Sequence, residues 1–533
     1  MRTLTSPNLF EIIPVGRLSP TLEVPMKRSF FWFASALVWM LHPTLFAQEV
    51  LHRWAGPTSA SFGNTLAPAG DVDGDGVPDL LVGGPSADVG MSNNGAAAVL
   101  SGFDGSLIYR LIGSKDGGEF GSAVAGVGDM NGDGWDDFAV AAKREEVIPT
   151  SYGKVRVFSG YDAGILFEFE AGLGVDLYGY GLCSPGDLNG DFIPDLVIGS
   201  FYPFTLHFLS GADGSEFFTV SDVGPTARAL GDVNLDGVPD IGTEDHEHAY
   251  VLSGVDGAVL LQFPGYSTEF ANLQIEAVGD LNGDGYPELV LGCSPLTFGS
   301  TEFGFVKVFS GYDGSLVFQY QEETEGDNFG LQVAGLGDVD GDGLPDWIVG
   351  ADATGYPGED AGAVWIFSGH DGGIVNHLYG RHGGDRMGWA VSGIGDLDLD
   401  GRNDVIISSK YEKDLLGNFF GVVRALSLDP PFLSLIVDRP ATQVDVRAYG
   451  FRPLEDLWLF YTIQGFKPTY EPLVAATLWL REPKFAAGPV MTDAQGEATF
   501  SFPVDPLYHG KQLFLQAAQV GYPSVVTGAG LRP

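Results

Sequence analysis

Basic residues are scarce in this chain of 533 residues: 27 Lys and Arg stand against 70 Asp and Glu, a formal net charge of −43. A surface this poor in cations has little to neutralise phosphates with, which argues against nucleic acid as a partner. Cysteine is nearly absent. Cys183 and Cys293 are the only two, too few for a disulfide framework. Buried thiols are the expectation and a single bridge the alternative. Beyond the N-terminal segment no run of about twenty apolar residues occurs, so no transmembrane segment is expected in the mature chain. The chain has no phosphate-cradling P-loop, no Rossmann fingerprint and no Gly-x-Ser-x-Gly nucleophile elbow. The nine histidines are scattered. The cluster Glu244-Asp245-His246-Glu247-His248 has side chains suited to a transition metal, but reads more simply as a charged exposed turn.

What the chain does have is glycine, 77 residues of it, with 44% hydrophobic and only 18% charged residues. That composition fits a globular protein of many short strands joined by turns. Near the N-terminus, Met26-Lys27-Arg28 followed by the apolar run Ser29 to Leu41 reads as an export signal over 26–47, with cleavage after Ala47. Residues 1–25 read as unstructured or as a mis-called start; Met26 and Met1 compete as the true first residue.

The stretch Asp71 to Asp79 reads DVDGDGVPD, and the chain repeats it seven times. The first acids are Asp71, Asp129, Asp187, Asp232, Asp280, Asp338 and Asp396, at intervals of 58, 58, 45, 48, 58 and 58 residues. At positions 1, 3, 5 and 9 the loops carry Asp71, Asp73, Asp75 and Asp79, then Asp129, Asn131, Asp133 and Asp137, then Asp187, Asn189, Asp191 and Asp195. The fourth and fifth carry Asp232, Asn234, Asp236 and Asp240, and Asp280, Asn282, Asp284 and Glu288. The last two carry Asp338, Asp340, Asp342 and Asp346, and Asp396, Asp398, Asp400 and Asp404. Clustered carboxylates repel one another unless a cation lies between them. Oxygen ligands at alternate positions suit a hard cation, and several structural Ca²⁺ ions are the expectation. An EF-hand is excluded, because position 12 is apolar or Thr in every loop, as in Val82 and Thr243. A set of Asx-turns without metal is the competing reading. Loops four and seven replace the Gly at position 4 with Leu, and loop three has Phe192 for the Gly at position 6, which marks loop three as the weakest site.

The units share one plan. An aromatic-Gly pair stands nine residues before the loop in four of them, as Phe62-Gly63, Phe120-Gly121, Tyr178-Gly179 and Phe329-Gly330, where the others have Val223-Gly224, Ala271-Asn272 and Met387-Gly388. A buried strand follows the loop, a third strand ends in Ser-Gly, and a turn such as Tyr312-Asp313-Gly314-Ser315 leads to a fourth. Four short strands repeated seven times describe a seven-bladed β-propeller. The seventh repeat lacks the last turn and so its fourth strand. Residues 49–55, just before the first repeat, stand where that strand belongs, and are expected to close the ring and remove an exposed sheet edge.

The Phe-Gly pairs, the Asp-rich loops and Gly84-Pro85 resemble FG-GAP repeats, which form the propeller at the head of integrin α subunits. The resemblance covers about residues 49–427. It implies Ca²⁺ in loops between the first two strands of certain blades, and extracellular binding or adhesion. Fold alone does not fix the second.

From Pro430-Pro431 the repeat stops. Alternating strands over 431–533 suggest a small Ig-like β-sandwich, serving either for attachment or as a passive cap. Taken together, the chain reads as an all-β, exported, calcium-binding propeller (48–428) that serves as a binding or adhesion protein for an unidentified extracellular protein or polysaccharide. It would be secreted, periplasmic or held at the cell surface. A secreted hydrolase or lyase with its site on one propeller face is the alternative.

Overall fold

The computed structural model describes residues 49–58, 61–149, 151–245, 247–265, 271–295, 303–321, 327–340, 342–355, 360–413 and 419–428, and beyond them only the strand backbones between 432 and 530. The expected export signal at 26–47 lies outside the described residues. The chain divides into two compact units, Val50–Leu426 and Ser427–Pro533. Among the described residues there is no helix long and apolar enough to cross a membrane.

The first unit is a seven-bladed β-propeller of four-stranded antiparallel sheets. Blade one contains Thr65–Gly70, Asp79–Gly84, Ala96–Leu100 and Leu107–Ile112, in that spatial order. Blades two to six repeat this order, beginning at Phe120–Gly128, Asp176–Gly186, Arg228–Gly231, Ala271–Gly279 and Gln332–Gly337. Blade seven takes Met387–Gly395, Asp404–Lys413 and Phe419–Ser427 from the end of the repeat region, and its outermost strand, Glu49–Thr58, from the start.

Burial follows position within a blade. Second strands are covered on both faces by neighbouring blades, so they read as continuous apolar runs, such as Leu80-Leu81-Val82 and Trp347-Ile348-Val349, all fully buried. Fourth strands form the rim, where Leu107 and Ile165 are exposed. First strands line a central channel with a volume of about 520 Å³. Cys183 and Cys293 are buried in the first strand of blade three and the second strand of blade five, and neither is in a disulfide.

One glycine recurs for a steric reason. The residue just before each acid loop has a positive φ, as in Gly70, Gly128, Gly279 and Gly395. At most of these positions a Cβ would also press on the next blade, Asp136 against Gly70, Pro194 against Gly128, Pro345 against Gly279 and Pro78 against Gly395, while at Gly231 it would meet nothing. The Gly395–Pro78 approach is the junction of blades seven and one. The same seam is packed by Leu51 and Trp54 of the N-terminal strand with Leu80 and Leu100 of blade one and Ile406 and Val423 of blade seven. Trp54 Nε1 donates to the Gly105 carbonyl at 2.8 Å, and His52 Nε2 lies 2.7 Å from the Gly102 carbonyl. The strand is thus bonded to blade seven through its backbone and to blade one through its side chains.

In the second unit, Phe432–Val437, Gln443–Tyr449 and Ala498–Pro503 form one antiparallel sheet. Lys484–Met491, Asp456–Thr462, Gln512–Gln519 and Val525–Gly530 form another, and Phe466–Glu471 pairs with Ala476–Leu480.

Candidate functional site

Each acid loop joins the first strand of its blade to the second, and all seven are folded by the same hydrogen bonds. The acid at position 1 caps the turn: in loop one, Asp75 N and Gly76 N donate to Asp71 at 3.0 and 2.9 Å. Position 3 accepts from the backbone of position 5, and position 5 from that of position 7, as in Asp75 N to Asp73 at 3.2 Å and Val77 N to Asp75 at 2.9 Å. These are Asx-turns laid end to end. The Asx-turn reading and the metal reading are therefore not exclusive, because each backbone bond to a carboxylate oxygen leaves that oxygen a further lone pair.

The ninth residue behaves differently. Asp79, Asp137, Asp195, Asp240, Glu288, Asp346 and Asp404 are all buried. One Asp79 oxygen accepts from Val72 N at 2.8 Å, the other from Gly102 N at 3.0 Å. Gly102 belongs to the Ser-Gly turn after the third strand. The same clamp joins Asp137 to Gly160, Asp195 to Gly211, Asp240 to Gly254 and Asp346 to Gly369. The spacing alone put this acid on a par with the other three. The recurring Ser-Gly was the signal that it has a structural partner as well.

Burial, the largest cause, pushes the ninth carboxyl up to about 7 for Asp79 and Asp346 and to about 8 for Asp404. Asp137 and Asp240 rise only to about 6. Asp404 belongs to the blade without a Ser-Gly turn, and so has no glycine N–H from that turn to accept. In these three most perturbed loops one oxygen each from positions 1, 3 and 9 lies within 4.8 Å of the others: Asp71, Asp73 and Asp79; Asp338, Asp340 and Asp346; Asp396, Asp398 and Asp404. Three converging hard oxygens are compatible with a divalent cation.

In loops two to five position 3 is Asn. Asn131 and Asn234 donate to Asp133 and Asp236 at 2.8 and 2.9 Å, Asn189 donates to Asp195 at 3.4 Å, and Asn282 donates to Glu288. The amide keeps its oxygen for the loop and spends its NH₂ on a neighbouring acid.

The replaced glycines do not change the loop. Leu235, Leu399 and Phe192 adopt positive φ values of 61°, 62° and 69°. Phe192 N still donates to Asp187 at 2.7 Å, and Asp400 N to Asp396 at 3.0 Å.

The cluster at 244–248 needs one correction. Glu244 is not part of an exposed turn. It is buried at the end of the second strand of blade four, and it accepts from Thr226 Oγ1 and, at 2.8 Å, from Ile275 N of blade five. The turn proper is organised by Asp245, which accepts from Glu247 N and His248 N, both at 2.6 Å, and from the Tyr250 hydroxyl. His246 lies outside the described residues.

Family comparison bears directly on these loops. The FG-GAP repeat model matches residues 62–100 and 120–158, blades one and two with their acid loops, and the FG-GAP-like repeat model matches 280–349. The chain carries FG-GAP repeats over these stretches. Integrin alpha-5 of Xenopus laevis is 28% identical over 45% of the chain and 20% of its own length. Integrin alpha-IIb of Mus musculus is 34% identical over 29% of the chain and 16% of its length. Integrin alpha-7 of Homo sapiens is 35% identical over 27% and 12%. The FG-GAP chain thus spans a fifth or less of these curated relatives. Among solved structures, a chain of the BBS1N–ARL6DN complex superposes with a TM-score of 0.44 and 9% identity, covering 67% of this chain and 90% of that one.

Proposed function

We propose that this FG-GAP propeller is an exported binding or adhesion module whose blades are held by several structural Ca²⁺ ions. The observation that carries the reading is the convergence of Asp71, Asp73 and Asp79, repeated by Asp338, Asp340 and Asp346 and by Asp396, Asp398 and Asp404. Positions 1, 3 and 5 of these loops would face the ion, and the buried ninth acid would share it, Asp79 and Asp346 while keeping their clamps on the Ser-Gly turn. A bound Ca²⁺ supplies two positive charges that offset the repulsion among the acids. The protein supplies the rest. Backbone N–H groups fix each carboxylate before any ion arrives, so little side-chain entropy is lost on binding.

The integrin α relatives support an extracellular or cell-surface setting and a protein or polysaccharide ligand. The reading of 26–47 as an export signal points the same way. The strands of 431–533 are proposed to form an Ig-like sandwich serving attachment. Melting the protein with and without a chelator tests the metal reading. The expected result is a melting temperature that falls on chelation and returns with Ca²⁺ but not with Mg²⁺ at equal concentration. An unchanged melting temperature would reject it.

A further inference from the structure

The acid loops follow one plan in every blade, and the channel wall does not. The residue four positions before each loop lines the channel in all seven blades. Five blades place a small side chain there: Ala67, Ala125, Cys183, Ala334 and Ser392. The adjacent blades four and five place Arg228 and Glu276. Two residues further back, blades four, five and six carry Thr226, Gln274 and Gln332 and blade one carries Thr65, while blades two, three and seven carry Ala123, Gly181 and Ala390. One sector of the wall is therefore polar and the rest is mostly small and apolar.

Arg228 offsets the charge of the acids beside it, Glu244 and Glu276, but is hydrogen-bonded to neither. Glu244 and Gln274 are engaged in joining blades, Glu244 to Ile275 N and Gln274 to Val333 N at 2.9 Å. Arg228 Nε is buried and makes no hydrogen bond. It sits 3.7 Å from Glu276 Oε1, too far for one. Burial pushes the Glu276 carboxyl up to about 7 in spite of Arg228, which is the condition of a carboxylate short of donors.

We propose that this wall of the channel is a binding site for a neutral sugar, with Arg228 and Glu276 bracketing two adjacent hydroxyls. Arg228 and Glu276 offset one another, and Glu244, the other acid facing Glu276, is already held by Thr226 and Ile275 N, so an uncharged ligand matches the pair best. A hydroxyl both accepts and donates: one accepts from the guanidinium and its neighbour donates to the carboxylate. The Gln274 and Gln332 amides border the same space, and the small side chains of the other blades leave room for the ring. The volume of about 520 Å³ falls within the range of small-ligand sites. The site is separate from the acid loops and does not depend on their metal.

Calorimetric titration of the intact protein with glucose, galactose, mannose, N-acetylglucosamine and cellobiose tests this, with betaine and acetate as zwitterionic and anionic controls. The expected result is saturable binding of at least one sugar, weakened at least tenfold in Glu276→Gln and in Arg228→Met. Ser392→Trp, which narrows the bore from blade seven, is expected to abolish binding while cooperative melting is kept. If Arg228→Met does not fold, the other two variants decide. The proposal is overturned if no sugar binds a cooperatively melting protein. It also fails if Glu276→Gln and Ser392→Trp bind as well as the unaltered chain, or if a control binds in place of the sugars.

Discussion

The acid loops of blades six, seven and one differ from those of blades two to five at one atom of the third residue. Asp340, Asp398 and Asp73 present a second carboxylate oxygen where Asn131, Asn189, Asn234 and Asn282 present an NH₂. The NH₂ donates to a neighbouring acid in all four Asn loops. A carboxylate has no proton to give, and it adds a charge. The ninth acid is pushed to about 7 or 8 in the Asp loops and to about 6 in blades two and four, burial being the largest cause and the charge of the third residue a smaller one. The three Asp loops are also neighbours, because blade seven meets blade one at the seam. One sector of the ring relieves its acids from within, and the other, next to the seam where the propeller's first and last strands pair, has acids arranged for an outside cation.

The strongest way to break this contrast is to open the seam. Trp54 is completely buried between blades seven and one, and Trp54→Ala is expected to cost about 3–5 kcal/mol in urea unfolding. Trp135, half-buried beside Tyr161 on the continuous side, is expected to cost less than half as much on the same change. Equal losses would mean that the seam has no special weight.

Chelation comes next. At a hundredfold excess over Kd, each occupied site stabilises by about 2.7 kcal/mol. The triple variant Asp73→Asn, Asp340→Asn, Asp398→Asn gives the seam loops the internal donor of the others. It is expected to lose most of the chelator-induced drop in melting temperature while melting higher than the unaltered chain in chelator. A full chelator response in the triple variant would place the metal in blades two to five and reverse the comparison.

How much of this was readable beforehand depended on whether the repeat carried it. The acid loop between the first two strands recurs in seven copies and the aromatic-Gly pair in four, at fixed offsets, so the copies averaged out the ambiguity of any one short strand. The absent Ser-Gly turn after Phe419–Ser427 was equally legible, because a missing copy shows up against six present ones. The ninth acid's clamp was not, since Asp79 and Gly102 are 23 residues apart and only folding brings them together. Glu244 was misjudged for a related reason. Its charged neighbours suggested an exposed turn, while its partner, Ile275 N, is contributed by the next blade. Arg228 and Glu276 stand out only when the blades are aligned on their loops, where two charges interrupt a row of small residues.

A pH series separates that charged pair from the loops. Glu276 faces Arg228 and Glu244, and burial raises its carboxyl to about 7 from the usual 4.5. The native state then holds the Glu276 proton more tightly than the unfolded state, so the stability linked to this proton is complete below about pH 4.5 and is lost as pH rises through about 7. Glu276→Gln is expected to remove this loss. Its stability relative to the unaltered chain should improve by on the order of 1–3 kcal/mol between pH 4.5 and 7.5, with the chelator response unchanged. A flat difference curve would show that Glu276 titrates no differently in the folded and unfolded chain. Glu244, also raised by burial, is present in both proteins and largely cancels from the comparison.

The smallest effect concerns loop shape. Phe192, in an Asn loop, and Leu399, in an Asp loop, both hold positive φ angles that suit glycine, and both are mostly exposed, at 94% and 67%. Left-handed backbone costs a side chain of this kind on the order of 1 kcal/mol, and neither residue has much packing to lose. Phe192→Gly and Leu399→Gly are each expected to raise stability by about 0.5–1 kcal/mol, since the extra unfolded-chain freedom of glycine takes back part of the gain. If the seam loop is set by its cation and the continuous loop by its own bonds, chelator should enlarge the difference between the two variants. Without the ion, Leu399→Gly relaxes a turn still crowded by Asp396, Asp398 and Asp404, while Phe192→Gly acts on a loop whose Asn189 already bonds to Asp195. Identical gains with and without chelator would show instead that backbone strain and charge repulsion are independent in both loops.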